Sequence, residues 1–243
     1  MRPFLYKFFH RSTKDKTEGG LIKIPADITK WPISWKTTEY KKIPFFDPIK
    51  LSDNFNTELF NLLQKRSSDR KSLPDNFVTL EKISKILKCA CGEIKRKDGT
   101  IHRTAPSGGA RYSVELYLIL FKNIEELESG VYHYELQTHS LELVERRSFS
   151  SDDILSYQSD KWAVGGFGMI CLASVFDRAT RKYGSRGYRY ILLEAGHIGQ
   201  NILLSGVENG LTFIPNGSSS DIRVEGLLKL DGSSESLVYT ISF

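Results

Sequence analysis

Two stretches of this sequence carry residue types suited to holding an anionic or flat ligand. Arg66-x-Ser68-x-Arg70 sets two guanidinium groups and a hydroxyl within about one turn of chain. Guanidinium forks match phosphate oxygens, and a hydroxyl adds a donor. The spacing is common on protein surfaces, so alone it is weak. Pro106-Ser107-Gly108-Gly109 lies between a basic lead-in at Arg103 and the apolar run Val114 to Phe121. Adjacent glycines let a backbone approach a ligand closely and permit positive φ. Alone, this stretch also fits a tight turn before a core strand. Neither a Walker-type nor a Rossmann-type glycine motif is present, which disfavours those modes of nucleotide binding.

Composition narrows the field. The 243 residues are 40% hydrophobic and 26% charged, with a net charge of +5. That is ordinary for a globular protein with one α/β domain and an extension. Basic residues are scattered and form no nucleic-acid module, so nucleic acid is not an expected partner. No apolar run approaches membrane-spanning length, so no membrane association is expected. The opening Met1 to His10 lacks the continuous apolar core of a secretory signal. Cys89, Cys91 and Cys171 form no C-x-x-C pair, which fits a reducing cytoplasm. Cys89 and Cys91 lack a second ligand pair nearby, so no metal is expected; they read as small residues near a helix end.

The elements that would position these residues follow from periodicity and caps. Residues 1–50 are rich in Lys, Pro and aromatics and read as an extended arm lying across its own domain or a partner subunit. His10 and Lys14 within it read as surface or cap positions, with ligand contact as the alternative. Residues 51–243 read as one domain. A helix is expected over 56–66, and a second from Thr79 to Cys89 with Leu80, Ile83, Ile86 and Leu87 on one face. A buried strand follows the glycine turn. A hairpin around Gln137-Thr-His-Ser140 has His133 and His139 as surface residues. Ser151 to Asp153 caps a short helix through Tyr157, and Gly168 to Phe176 reads as a buried strand. Arg178 to Arg189 is a basic loop. A long helix runs from Tyr188 to Asn209 and stops at Gly210. A short strand into Asn216-Gly217, a helix from Asp221 to Leu230 and a final strand from Leu237 complete the chain.

Taken in order, several motifs resemble the flavin-dependent nitroreductase fold, and within it the azoline-oxidising dehydrogenases of ribosomal-peptide maturation, of streptolysin S and microcin B17 type. The resemblance is carried by Arg66 to Arg70, Pro106 to Tyr112 with Glu115-Leu-Tyr, Gly130 to Tyr134, Lys182 to Tyr190 and Leu193 to Asn201, with Phe9 to Lys14 like that subfamily's opening. It implies an α+β fold with a central, mainly antiparallel sheet flanked by helices. It also implies flavin mononucleotide (FMN) held by a homodimer, each site built from both subunits. Arg66, Ser68 and Arg70 match the phosphate motif. Pro106, Ser107, Gly108 and Gly109 match the loop along the isoalloxazine and ribityl chain. Asn216 and Gly217 match the turn whose N–H approaches flavin N5.

Lys182 and Tyr183 match the pair those peptide dehydrogenases use in catalysis. Aromatising a thiazoline or oxazoline removes one proton and one hydride. Lys182 would take the proton, its basicity lowered by Arg181, Arg186 and Arg189 and by a semi-buried pocket. On its own, Lys182 reads as a solvated cation. Two departures stand out. Ser113 follows Arg-Tyr where relatives usually have Pro, which makes the strand entrance less rigid. Many relatives also continue beyond the last strand, so phosphate binding here is expected to lean harder on Arg66 to Arg70.

The resemblance implies a peptide azoline dehydrogenase acting on a precursor peptide beside a cyclodehydratase, reoxidised by molecular oxygen. A stand-alone NAD(P)H-dependent nitro or quinone reductase is the alternative. A scaffold that has lost its cofactor is a third reading.

Overall fold

The computed structural model describes residues 5–14, 27–38, 40–41, 45–53, 56–68, 70, 77–125 and 127–243. Of the expected arm, residues 1–4, 15–26, 39 and 42–44 lie outside these, as does Asp69.

Six strands form one sheet in the order β5-β4-β3-β6-β8-β7: β3 (Val114–Leu120), β4 (Gly130–Glu135), β5 (Ser140–Arg146), β6 (Gly168–Val175), β7 (Ile214–Asn216) and β8 (Glu235–Ser242). Every neighbouring pair is antiparallel. The apolar run of β3 lacks alternation because both of its faces are covered. Leu116, Leu118 and Leu120 point towards α4 (Leu80–Cys91) and α7 (Gly187–Glu208), where Ile83, Ile86, Leu87, Ala195, Ile198 and Ile202 meet them. Tyr117, Ile119 and Phe121 face the other way, onto α5 (Ser151–Tyr157) and α8 (Asp221–Leu228), where Ile154, Val224 and Leu227 pack. The result is three layers around a central β3–β6–β8. Truncating a buried leucine such as Leu118 in such a core costs about 2–5 kcal/mol.

The helices start where their caps dictate. The Thr57 hydroxyl accepts the Phe60 N–H ahead of α3 (Glu58–Lys65), and Thr79 accepts the Lys82 N–H ahead of α4. The cap of α5 is Ser150 rather than Ser151, and it forms a capping box with Asp153.

Four expectations change. The arm is not extended throughout, since Leu5–Thr13 is a helix, α1, and a short α2 spans Ile33–Lys36. His10 and Lys14 are buried rather than at the surface. The basic stretch after residue 176 is no loop: α6 (Phe176–Tyr183) and a 3₁₀ turn (Gly184–Arg186) lead into α7. α6 shows only Phe176 and Ala179 to the core, too thin an apolar stripe to stand out among its charges. His133 and His139 are tied down, the first to Glu142 at 2.9 Å and the second to Ser84 at 2.8 Å and Tyr134 at 2.7 Å. A small antiparallel ribbon, β1 (Glu93–Lys95) with β2 (Ile101–Arg103), precedes the glycine turn and was not expected.

Candidate active site

The turn Pro106 to Tyr112 leaves β2 and delivers the chain to β3. It contains a 3₁₀ turn, Gly108–Ala110, with positive φ at Gly109, Ala110 and Tyr112. Three left-handed residues in four do not hold themselves, and the hold comes from α7. Glu194 is buried there, accepting the Ser107 hydroxyl at 2.6 Å and the Val114 N–H at 3.2 Å. Ser107 Oγ in turn accepts the Tyr112 N–H at 2.8 Å. Burial pushes the Glu194 carboxyl above its ordinary range, with the Ser107 bond opposing. One carboxylate thus fixes both ends of the turn. Glu194 belongs to the stretch Leu193 to Asn201 that carried part of the resemblance, yet its role was not read, because its partners lie 80 and 87 residues away.

Lys182 and Tyr183, at the end of α6, come directly onto Gly109. A Cβ on Gly109 would fall 2.1 Å from the Tyr183 hydroxyl oxygen and 2.9 Å from Lys182 Nζ. A side chain there would push the ends of Tyr183 and Lys182 aside, and the φ of +64° favours glycine besides. Gly108 is closed off likewise, its Cβ position lying 3.0 Å from Tyr190 Cβ. Tyr190 packs edge-on against Tyr183 with ring centroids 4.9 Å apart. Lys182 itself is exposed, so this chain does not surround it with the semi-buried pocket expected from the sequence. Of its basic neighbours, Arg181 pairs with Asp177 at 3.2 Å and Arg186 donates to Tyr190 Oη at 3.1 Å.

The remaining residues form a second group. Arg66 Nη1 donates to Ser68 Oγ at 3.4 Å, on the exposed segment after α3. Arg70 lies 3.9 Å from Asp160 and 5.8 Å from the Trp162 ring. Asp160 accepts the Ser218 hydroxyl at 3.1 Å, which links Arg70 to the turn after β7. In that turn the Asn216 amide meets buried Gln158 at 3.0 Å, and Gly217 is exposed with open space beside it.

Strand register separates the two groups. Val114, at the end of the glycine turn, pairs with Ser174, whereas Asn216 pairs with Thr240, which faces Cys171 and, beyond it, Tyr117. Three inter-strand steps lie between β3 and β7, on the order of 15 Å. A ligand touching both groups of one chain must be long, or one group must come from each of two copies.

The family follows from comparison with known proteins. The chain belongs to the nitroreductase family, whose model matches residues 63–243. It is a flavin-dependent oxidoreductase of that family. A Methanocaldococcus jannaschii protein named as a nitroreductase is 30% identical over 182 residues, covering 75% of this chain and 89% of the relative. The microcin B17-processing protein McbC of Escherichia coli is 32% identical over 191 residues, 72% of this chain and 68% of its own. The trifolitoxin-processing protein TfxB of Rhizobium leguminosarum bv. trifolii is 33% identical over 141 residues, 56% of this chain and 38% of its own. Among solved structures, a chain of the E. coli microcin synthetase McbBCD complex with truncated pro-MccB17 bound superposes with a TM-score of 0.70 at 23% identity. That match covers 98% of this chain and 90% of the other and shows the shared fold. No described helix is long and apolar enough to cross a membrane.

Proposed function

We propose that this protein is an FMN-dependent dehydrogenase that oxidises thiazolines or oxazolines in a ribosomally made precursor peptide to the aromatic azoles. The observation that carries this reading is the meeting of Lys182 Nζ and the Tyr183 hydroxyl at Gly109. It puts a proton acceptor and a hydrogen-bond donor beside the loop expected to line a flavin. The names of the microcin B17- and trifolitoxin-processing relatives support a peptide substrate.

The residues present suit FMN by the chemistry of their donors. Arg66, Ser68 and Arg70 would hold the phosphate, Pro106 to Gly109 would line the ring and ribityl chain, and Asn216-Gly217 would offer a backbone N–H from an uncrowded turn. Bound FMN would supply a two-electron acceptor for the hydride that leaves with each proton. Lys182 removes that proton from the azoline ring, and Tyr183 orients the ring by donating its hydroxyl. Glu194 keeps Ser107 and the start of β3 in place while this happens. In this reading residues 51–243 form the cofactor domain, and a homodimer brings the Lys182 group of one copy to the Arg70 group of the other. A cyclodehydratase partner supplies the azoline, in the cytoplasm.

Lys182→Ala tests the reading. FMN should stay bound while azoline oxidation is abolished, and turnover at the parent rate would sink the base assignment. A second reading, a stand-alone NAD(P)H-dependent nitro or quinone reductase, draws on the archaeal relative with 89% coverage. Rapid flavin reduction by NAD(P)H without any peptide would favour it.

A further inference from the structure

The first helix is fastened to the body by a directed chain of hydrogen bonds. Glu225 accepts Lys14 Nζ at 2.7 and 2.8 Å, and Lys14 also donates to the Gly232 carbonyl at 2.9 Å. Glu225 accepts the Ser236 hydroxyl as well. A hydroxyl has one proton, so Ser236, having given it to the carboxylate, can only accept from His10 Nε2, 2.7 Å away. In the neutral ring the other nitrogen, Nδ1, then lacks a proton and accepts from the Tyr188 hydroxyl at 3.0 Å. This neutral tautomer agrees with burial, which pushes His10 down to about 4.

The same ring is wedged between the two legs of the α6–α7 elbow. His10 lies 5.0 Å from Phe176, which opens α6, and 5.8 Å from Tyr188, in the first turn of α7. Tyr6 repeats the bridge, at 5.6 Å and 6.0 Å from the same rings. The legs themselves nearly touch, since a Cβ on Gly187 would sit 3.0 Å from the Ala179 backbone. Lys182 and Tyr183 stand at the bend between them. Two residues beyond Tyr188, Tyr190 packs on both Tyr183 and Gly108.

We infer that His10 is a positioning residue: through Tyr188 and Phe176 it sets where Lys182 and Tyr183 stand against Gly109. The inference rests on the role given to that pair under the proposed function, but the elbow's rigidity is measurable without substrate. α1 is thereby part of the site although it touches none of the reacting atoms.

The test uses the full-length, FMN-loaded protein with His10→Ala, His10→Gln and Tyr188→Phe. Amide hydrogen exchange over residues 180–190 is followed by mass spectrometry, beside kcat, KM and the pH profile of kcat on an azoline peptide. In His10→Ala, exchange over 180–190 should rise by about tenfold or more. Its kcat should fall on the order of 10²-fold with KM little changed, and the rising limb of the pH profile, set by Lys182 losing its proton, should move. His10→Gln, which keeps a donor and an acceptor, should recover part of the loss. Tyr188→Phe, which removes one hydroxyl and keeps the ring, should show the same pattern at about tenfold in kcat and decides the matter should His10→Ala fail to fold. Parent-like exchange and kcat in a folded His10→Ala, or in Tyr188→Phe, would overturn the inference. If exchange rises but Lys182→Ala retains full turnover, it is the assignment of Lys182 that fails, with His10 still holding the elbow.

Discussion

The two groups of candidate residues are built in opposite ways. Around Gly109 the backbone is held by close neighbours: buried Glu194 beneath the turn, half-buried Tyr190 against Gly108, and buried His10 behind the elbow. Around Arg70 little is fixed. α3 has no buried residue, Arg66 and Ser68 meet on an exposed segment, and the Arg70–Asp160 contact is long at 3.9 Å. The difference fits the two tasks that the proposed function gives these groups. Proton transfer demands placement to a fraction of an ångström, whereas a phosphate can be gathered by long cationic side chains that settle when the charge arrives. Under the proposed function, the chemical half is pre-organised by the fold and the anchoring half is left to be completed by its ligand.

The sharpest way to break this contrast is to fill the pre-organised half. Gly109→Ala forces a methyl onto the Tyr183 hydroxyl and strains a backbone at φ +64°. Azoline turnover should drop by on the order of 10²-fold or more, with a smaller loss of FMN affinity because Gly109 also lines the proposed flavin loop, as read by kcat against flavin titration. On the other side, Arg66→Ala with Arg70→Ala should weaken FMN affinity by about 1.5–3 kcal/mol per lost charged contact. The apo-protein's denaturation midpoint should hardly move, because Arg70 is exposed and Arg66 only half-buried. If the double variant unfolds the apo-protein, the anchoring half is structural and the contrast fails.

The smallest effect is a pH dependence linking sheet and turn. His133 is pushed up to about 8, first by its hydrogen bond to Glu115 and then by its bond to Glu142, with burial opposing. Glu115 also holds Arg178, which donates to the Tyr112 carbonyl at 3.0 Å. The nearby Tyr117 and Glu235 share a hydrogen bond at 3.2 Å. Because the folded-state value lies above the unfolded one near 6.5, the stabilisation is complete below about 6.5 and is lost as pH rises through about 8. Discounted for partial exposure, it amounts to about 1 kcal/mol. His133→Gln should flatten the fall in denaturation midpoint between about pH 6 and about pH 9. An unchanged slope would show that His133 does not carry it.

Much of the frame could be read from residues close in sequence. Thr57, Thr79 and Gly210 mark helix ends locally, and α7 announces itself through Ala195, Ile198 and Ile202. The ordered motifs named both groups of candidate residues that the structure gathers. What escaped depends on partners far along the chain. Lys14 reads as one more cation until Glu225, 211 residues on, comes to meet it, and His10 reads as a surface residue until Ser236 and Tyr188 enclose it. The helix α1 was hidden by the prolines of the wider arm, although none falls within Leu5–Thr13. The β1–β2 ribbon was hidden by its brevity, three residues a strand with a basic tip.

The place of β8 in the sheet orders events during synthesis. It lies between β6 and β7, so until residues 235–242 have been made the sheet is split, with one edge of β6 bare and β7 unpaired. Asn216 takes its backbone partner from Thr240, and Glu225 takes Ser236. A nascent chain short of this strand therefore has its glycine turn and its basic elbow but neither the Asn216-Gly217 turn nor the lock on its first helix. Such late, long-range pairing is slow. If the proposed site holds the flavin, cofactor loading would wait on β8, because a chain lacking it has no finished place for the flavin.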